Sequence, residues 1–228
     1  MKNLLVYINP LNEFNFENSI YVKLQIDNSL LYWDVKDILL VTNFPHEYNG
    51  VKSIIVPKDL YYERSPCVNK VNAIIYLLEH EMVNDLVWFH DTEAWQIAPL
   101  NLELYAELGL TDYGWSRRWN GGSIFFRPST IDIFKLLRED IYTRKIDDER
   151  ALLTLTENNY NNINKRIQRL NITYNLGKRR VEQNIAVADK PVRVVHFHPY
   201  REDLLNKFKA LLPKELYQQM YEKRIGAG

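Results

Sequence analysis

Two carboxylates two residues apart, Asp91 and Glu93, follow directly on an apolar run, Leu86-Val87-Trp88-Phe89. In a tight turn both can reach one hard divalent cation. Magnesium or manganese takes such oxygen ligands and leaves room for phosphate oxygens. The same acids can equally cap the next segment or face solvent. Lys70 stands near the start of a helical pattern, where backbone amides and the helix dipole favour anions. It can meet a phosphate there, or lie on a solvated polar face. Asp147-Asp148-Glu149-Arg150 opens another helix, where first-turn acids are expected from the dipole alone. A late β-branched run, Val192 to Pro199, places His196 and His198 on one strand face. Two such imidazoles can bind metal or phosphate, or be hydrogen-bonded parts of the framework. Asn120-Gly121-Gly122, ahead of Ser123-Ile124-Phe125-Phe126, marks a tight turn or a close backbone approach.

The elements around these residues alternate. Leu4 to Ile8 is an apolar run ended by Asn9-Pro10, as in a central strand leading into a loop. Phe16, Ile20, Leu24 and Leu31 recur at near-helical spacing and predict an amphipathic helix. Strands are predicted at Asp37 to Val41, ending at Thr42-Asn43, and at Ser53 to Val56. Ser65-Pro66 predicts a cap with proline in the first turn of the next helix. That helix buries Val68, Val71, Ile75 and Leu78 and ends near Glu81. After the acidic turn, Gly109 is expected to stop the mixed segment from Trp95 to Leu108. Ser129 is expected to cap a helix with Ile133, Phe134, Leu137 and Ile141 inward. Ile172 to Asn175 reads as a short strand, Gly177-Lys178-Arg179-Arg180 as a small basic cluster, and Leu204 to Tyr221 as an amphipathic closing helix. Strand, helix, strand with short loops opens an alternating α/β sheet, and parallel sheets bind ligands beyond the carboxyl ends of their strands.

Length and charge exclude several classes. A chain of 228 residues suits one domain spanning 1–228, with the helix at 201–223 packed on it. Lys plus Arg and Asp plus Glu are 29 each, so the formal net charge is zero and bulk electrostatics gives no reason to expect nucleic acid. One cysteine, Cys67, excludes an internal disulfide framework and fits a reducing, cytoplasmic setting. No apolar run approaches the roughly 20 residues of a membrane helix, so no transmembrane segment is expected.

The order of motifs carries a resemblance. A strand ending in His90-Asp91-Thr92-Glu93, then Asn120-Gly121-Gly122-Ser123-Ile124-Phe125, then Asp148-Glu149-Arg150-Ala151-Leu152, then Val195-His196-Phe197, resembles the GT-A fold glycosyltransferases. The likeness is to the glycogenin and lipopolysaccharide galactosyltransferase group and to small viral sugar transferases. It spans the first strand to about His198. There are departures. Glu93 stands where the family has Asp, and Glu149 where Gln is common. Pro199-Tyr200-Arg201 replaces a late Lys-Pro-Trp segment that contacts the diphosphate, a role His198 or Arg201 would have to take.

The resemblance implies a mixed, mainly parallel α/β sheet flanked by helices. It implies a nucleotide-sugar donor, with uridine diphosphate the commonest carrier, and a carbohydrate or other hydroxyl acceptor. Asp91, Glu93 and His196 would hold Mn2+ or Mg2+, with Lys70 adding charge beside the diphosphate. Asn9, Thr42 and Asn43 would grip base and ribose, and Asn120, Gly121 and Gly122 the sugar. Asp148 would lie near the anomeric carbon of a retaining, metal-dependent enzyme, an inverting one using a carboxylate there as base. Tyr113, Trp115 and Trp119 would form an acceptor platform. Two other readings stand beside this one. A sugar-phosphate nucleotidyltransferase would want a glycine-rich basic loop after the first strand, where Asn9-Pro10-Leu11-Asn12-Glu13 is neither. A catalytically silent GT-A-like binding domain would show no metal-dependent nucleotide binding.

Overall fold

The structure, a computed structural model, describes residues 1–65, 67–114, 116–199 and 201–225. The chain opens with strand β1 (Lys2–Tyr7), helix α1 (Phe16–Leu30) and strand β2 (Ile38–Thr42), followed by β3 (Glu47–Tyr48) and β4 (Val51–Ile55). Helix α2 (Val68–Glu79) leads to β5 (Val87–His90), and β6 (Ala94–Gln96) follows the acidic turn. Next come β7 (Leu108–Asp112), β8 (Trp119–Phe126), α3 (Ile131–Arg144) and α4 (Asp148–Glu157). The last part holds β9 (Ile167–Arg169), β10 (Leu176–Gly177), α5 (Val181–Val187), β11 (Val194–His196), α6 (Glu202–Phe208) and α7 (Lys214–Ile225).

Eight strands form one sheet in the order β3-β4-β2-β1-β5-β8-β7-β9. From β4 through β2 and β1 to β5 every pairing is parallel. β8 runs antiparallel to both its neighbours, and β9 lies parallel to β7. A second, three-stranded sheet, β10-β11-β6, stands at the exit of β5. Successive strand residues point to opposite faces, and β1 shows the consequence. Leu4 packs with Val71, Ile74 and Ile75 of α2, whereas Leu5 packs with Val22 and Ile26 of α1. Both leucines are fully buried, so the sheet is covered on both faces.

Several local expectations are corrected by long-range contacts. Asn120-Gly121-Gly122 is no turn but the interior of β8, the longest strand, buried along its whole length. Gly109 stops nothing; it sits inside β7, where a Cβ would come within 2.8 Å of Leu104 Cδ1. Ile172–Tyr174 forms a short 3-10 turn, not a strand, and α5 after the basic cluster was not expected. The closing helix is two helices, α6 and α7, because Pro213 has no N–H to continue the first. Leu24 is buried as expected, but Leu31 is 65% exposed, and α1 also buries Val22 and Ile26. Ser129 does not cap α3; its hydroxyl donates to Glu107 at 2.6 Å. Ser65 Oγ meets Cys67 Sγ at 3.1 Å and does not cap α2. Pro66 lies outside the described residues. Among the described residues no helix is long and apolar enough to cross a membrane.

Candidate functional site

The acidic turn after β5 is held from three directions. Within it, Ala94 N–H donates to the Asp91 carbonyl (2.9 Å). From β8, the Gly122 carbonyl accepts from Asp91 N–H (3.0 Å), and Phe197 N–H, just past β11, donates to the Glu93 carbonyl (2.9 Å). From α1, the buried Gln25 amide donates to the carbonyls of Thr92 (2.7 Å) and Ala94 (2.9 Å). With its backbone so pinned, the turn presents both carboxylates to a cleft of about 540 Å³ at the carboxyl ends of β1 and β5. Asn9, Asn69 and Lys70 line the same cleft. So do Tyr7, Asn15, Asn18 and Tyr61, which the sequence did not single out. Asn15 could have been found as the cap of α1, since its side chain accepts from Asn18 N–H at 2.8 Å.

Lys70 is not a solvated surface lysine. Its side chain is 11% exposed, and its ammonium pairs with Asp148 Oδ2 at 2.9 Å and Asp91 Oδ1 at 3.2 Å. It also donates to the Gly121 carbonyl at 2.8 Å. Burial alone would lower its pKa, but the two carboxylates outweigh that and hold it well above the usual lysine value. Asp148 reaches this point because Asp147 caps α4, accepting from Arg150 N–H at 2.7 Å. Gly121 is required beneath it: a Cβ there would fall on Asp148 Oδ2. A Cβ on Gly122 would likewise fall within the His196 ring. The glycine pair is thus the floor on which a carboxylate and an imidazole rest.

The histidines divide. His196 is half-buried and its Nδ1 lies 3.2 Å from Asn175 Oδ1, which can only accept; Nδ1 therefore carries the proton and Nε2 keeps its lone pair. Burial lowers the His196 pKa against the pull of Asp91 and Glu93, so the ring is neutral at neutral pH. His198 Nδ1 stands 3.4 Å from Glu93 Oε1, while Thr92 Oγ1 donates to Glu93 Oε2 at 2.8 Å. Burial pushes Glu93 up, but His196, Thr92 and His198 outweigh it and leave it below the usual glutamate range. His90, by contrast, is framework: it stacks on Trp88, shares a contact with Asn3 Oδ1 (2.8 Å), and burial pushes it down to about 4.

The donor types suit a hard divalent cation: two carboxylates and a neutral imidazole whose tautomer is set by a partner on its other nitrogen. They are not a formed centre. Among the described residues no three His, Cys, Asp or Glu side chains converge as ligands. Asp91 is drawn to Lys70 and Glu93 to Thr92 and His198.

Other expected residues serve the framework. Thr42 is fully buried and its hydroxyl donates to the Phe44 carbonyl. Asn43 ties the ends of β1 and β2, accepting from Asn9 N–H at 2.9 Å and donating to the Asn9 carbonyl at 2.7 Å. Neither lines the cleft. Asn120 is 2% exposed; its Oδ1 accepts from Gly122 N–H (3.1 Å), and it borders a smaller cavity of about 150 Å³ with His196 and His198. Trp119 belongs to the core, its indole N–H donating to Thr156 Oγ1 at 3.0 Å, so it is no acceptor platform. Arg201 pairs with its neighbour Asp203 at 2.9 Å and takes no place in either cavity. Trp115 and Tyr200 lie outside the described residues. Glu149, noted only as a departure, is the residue sequence reasoning undervalued: it accepts from Tyr113 OH (2.5 Å) and Gly121 N–H (3.3 Å) and pairs with Arg118 (3.1 Å).

No family model and no curated protein matches this sequence. Solved structures do match. The galactosyltransferase LgtC, in complex with donor and acceptor sugar analogues, shares 15% identity over 96% of this chain and 100% of its own, with a TM-score of 0.62. A glycosyltransferase involved in glycosylation of the major capsid of PBCV-1 shares 12% identity over 92% and 99% of the two chains, with a TM-score of 0.58. The glycosyltransferase GlyE of Streptococcus pneumoniae shares 11% identity over 97% of this chain and 63% of its own, with a TM-score of 0.63. The chain therefore has the GT-A fold of these glycosyltransferases.

Proposed function

We propose that the chain, acting as one unit over residues 1–228, is a glycosyltransferase. It moves a sugar from a nucleoside-diphosphate donor to a hydroxyl acceptor, is metal-dependent and retains anomeric configuration. One observation carries the reading: Asp91, Glu93, Lys70 and Asn9 line a single cleft at the carboxyl ends of two parallel strands, with Asp148 held against Lys70. The likeness to glycosyltransferases of the same fold supports it. Uridine diphosphate is the expected carrier from the resemblance.

Charge explains why a cation is needed. Asp91 and Asp148 share one ammonium and Glu93 lines the same cleft, so an incoming diphosphate meets excess negative charge. Each unrelieved like-charge contact at about 4 Å costs about 4 kcal/mol at an effective dielectric of about 20. Asp91, Glu93 and His196 Nε2 are the groups that would hold magnesium or manganese. When bound, such an ion neutralises the leaving diphosphate as a Lewis acid. The chain's own residues do the rest. Asn9 and Tyr7 line the cleft and would meet the nucleotide. The glycine floor lets Asp148 and His196 lie close to the backbone of β8, at the edge of the space the sugar would take. As the bond from the anomeric carbon to the diphosphate oxygen breaks, its electron pair leaves with the diphosphate. Asp148 faces the positive charge that develops on the sugar. The acceptor oxygen forms the new bond and its proton passes to the departing diphosphate. Retention is favoured because both carboxylates at the start of α4 are engaged, Asp148 with Lys70 and Glu149 with Tyr113 and Arg118. Neither is free to serve as an in-line base.

Thermal unfolding with a panel of nucleoside diphosphates tests the reading. At about 100 times Kd a ligand adds about 2.7 kcal/mol. That raises Tm by about 5–11 °C in a chain of this size. The expected result is a shift for one diphosphate with manganese that vanishes with chelator and in Asp91→Ala and Glu93→Ala. No shift with any nucleotide would leave a silent binding domain as the better description.

A further inference from the structure

A second cavity, about 310 Å³ in volume, is walled by Tyr113, Arg118, Glu149, Lys178 and Arg179 and has no lining residue in common with the strand-end cleft. The two are connected. Tyr113 and Lys178 also line the small cavity that holds His196 and His198, and His198 reaches Glu93 of the cleft. Gly121 links them as well, its carbonyl accepting from Lys70 and its N–H donating to Glu149. A ligand in this cavity would therefore lie beside a donor seated in the cleft.

The cavity's charge is unbalanced. Arg118 is spent on Asp147 (3.1 Å) and Glu149 (3.1 Å). Glu149 is satisfied by Arg118, Tyr113 and Gly121 N–H, so it offers little to a ligand. Lys178 and Arg179 remain, and among the described residues neither has an acidic partner. Arg118 Nε is in addition a buried donor with no acceptor. A neutral sugar needs donors and acceptors in mixture; this wall has cationic donors in surplus. The volume is at the small end of ligand sites, suited to one sugar-sized group.

We propose that this pocket binds an anionic group, a phosphate or carboxylate, carried by the acceptor, and so selects an anionic acceptor over a neutral one. Naming the ligand as acceptor rests on the transferase reading above. Lys178 and Arg179 supply the charge, and Arg118 Nε the one further donor that its own ion pairs leave unused.

The test is calorimetric titration of the full chain with glucose, glucose 6-phosphate and glucuronate, at low and at high salt. The expected result is binding of an anionic sugar at least about tenfold tighter than glucose, weakened by salt. In the double variant Lys178→Ala/Arg179→Ala, affinity for it falls about 10–100-fold, one decade per lost charged contact of ordinary strength. Uridine diphosphate with manganese binds that variant as it binds the parent. Preference for the phosphate or for the carboxylate sugar identifies the source of the anion. Equal binding of glucose, no binding of either anionic sugar, or an unchanged affinity in the double variant overturns the proposal. Loss of uridine diphosphate binding in the variant also overturns it, by assigning the pocket to the donor. Absence of nucleotide binding in the parent chain sinks the transferase reading alone, since the sugar titrations still judge the pocket.

Discussion

Lys70→Met isolates the electrostatic centre of the site. The substitution keeps the apolar stem and removes the ammonium, which stands 5.2 Å over the centre of the Phe89 ring. What remains is Asp148, its side chain 7% exposed, with Oδ2 buried and without any hydrogen-bond partner beyond the lost ion pair. Breaking a buried pair by deleting one partner costs about 3–5 kcal/mol, because the other charge stays behind uncompensated. Asp91 adds little, since its carboxylate is 30% exposed and can be hydrated. In a chain of this length the loss lowers Tm by about 6–20 °C. Urea titrations of Lys70→Met, Asp148→Asn and the double variant measure the pair directly. Asp148→Asn alone should cost about 1–2 kcal/mol, because Lys70 keeps Asp91 and the Gly121 carbonyl. The double variant should be more stable than Lys70→Met by about 2 kcal/mol or more. A loss under about 1 kcal/mol for Lys70→Met, or a double variant no better than it, would refute the claim that Lys70 and Asp148 neutralise one another in a dry environment.

Two further outcomes follow from the packing and charge already described. Gly122→Ala drives a Cβ into the His196 ring between two hydrogen-bonded strands. It should cost about 1–3 kcal/mol as an overpacking change. In a melt with nucleotide it should also abolish the manganese-dependent shift; an unchanged shift would mean that His196 is not needed there. Arg166 binds Glu107 at 2.8 Å and Asp132 at 2.6 Å, and Arg166→Met should cost about 1–2 kcal/mol near neutral pH after allowance for partial exposure. Its hydrogen bonds hold both carboxyls below their usual values of 4.5 and 3.8. Stability from a depressed carboxylate is complete above the unfolded value and lost as pH falls through the folded one. The gap between Arg166→Met and the parent should therefore close below about pH 4 in acid titrations; a gap that widens there would contradict the assignment.

Much of this was written in local pattern. The apolar runs of β1, β2 and β5 and the helical spacing of α2 are periodicities, which any segment displays without its neighbours. So is the place of Asp91 and Glu93, polar residues following an apolar strand, and the Asp147 cap that starts α4. Glycine is different. It reports that a Cβ is not tolerated, not what would strike it. Gly121 and Gly122 left a tight turn and a close approach equally open, because their reasons, the Asp148 carboxylate and the His196 ring, stand far along the chain. Lys70 looked like a solvated lysine or a phosphate ligand because its two carboxylates come from other elements. Thr42, an expected ligand at a strand end, is turned into its own backbone. The sequence alone determined where the strands end: the side chains there are too polar to continue a core. Tertiary structure decided which charges meet. Burial makes the pairing of residues 70 and 148 strong, and burial exists only once the sheet has brought β5, β8, α2 and α4 together.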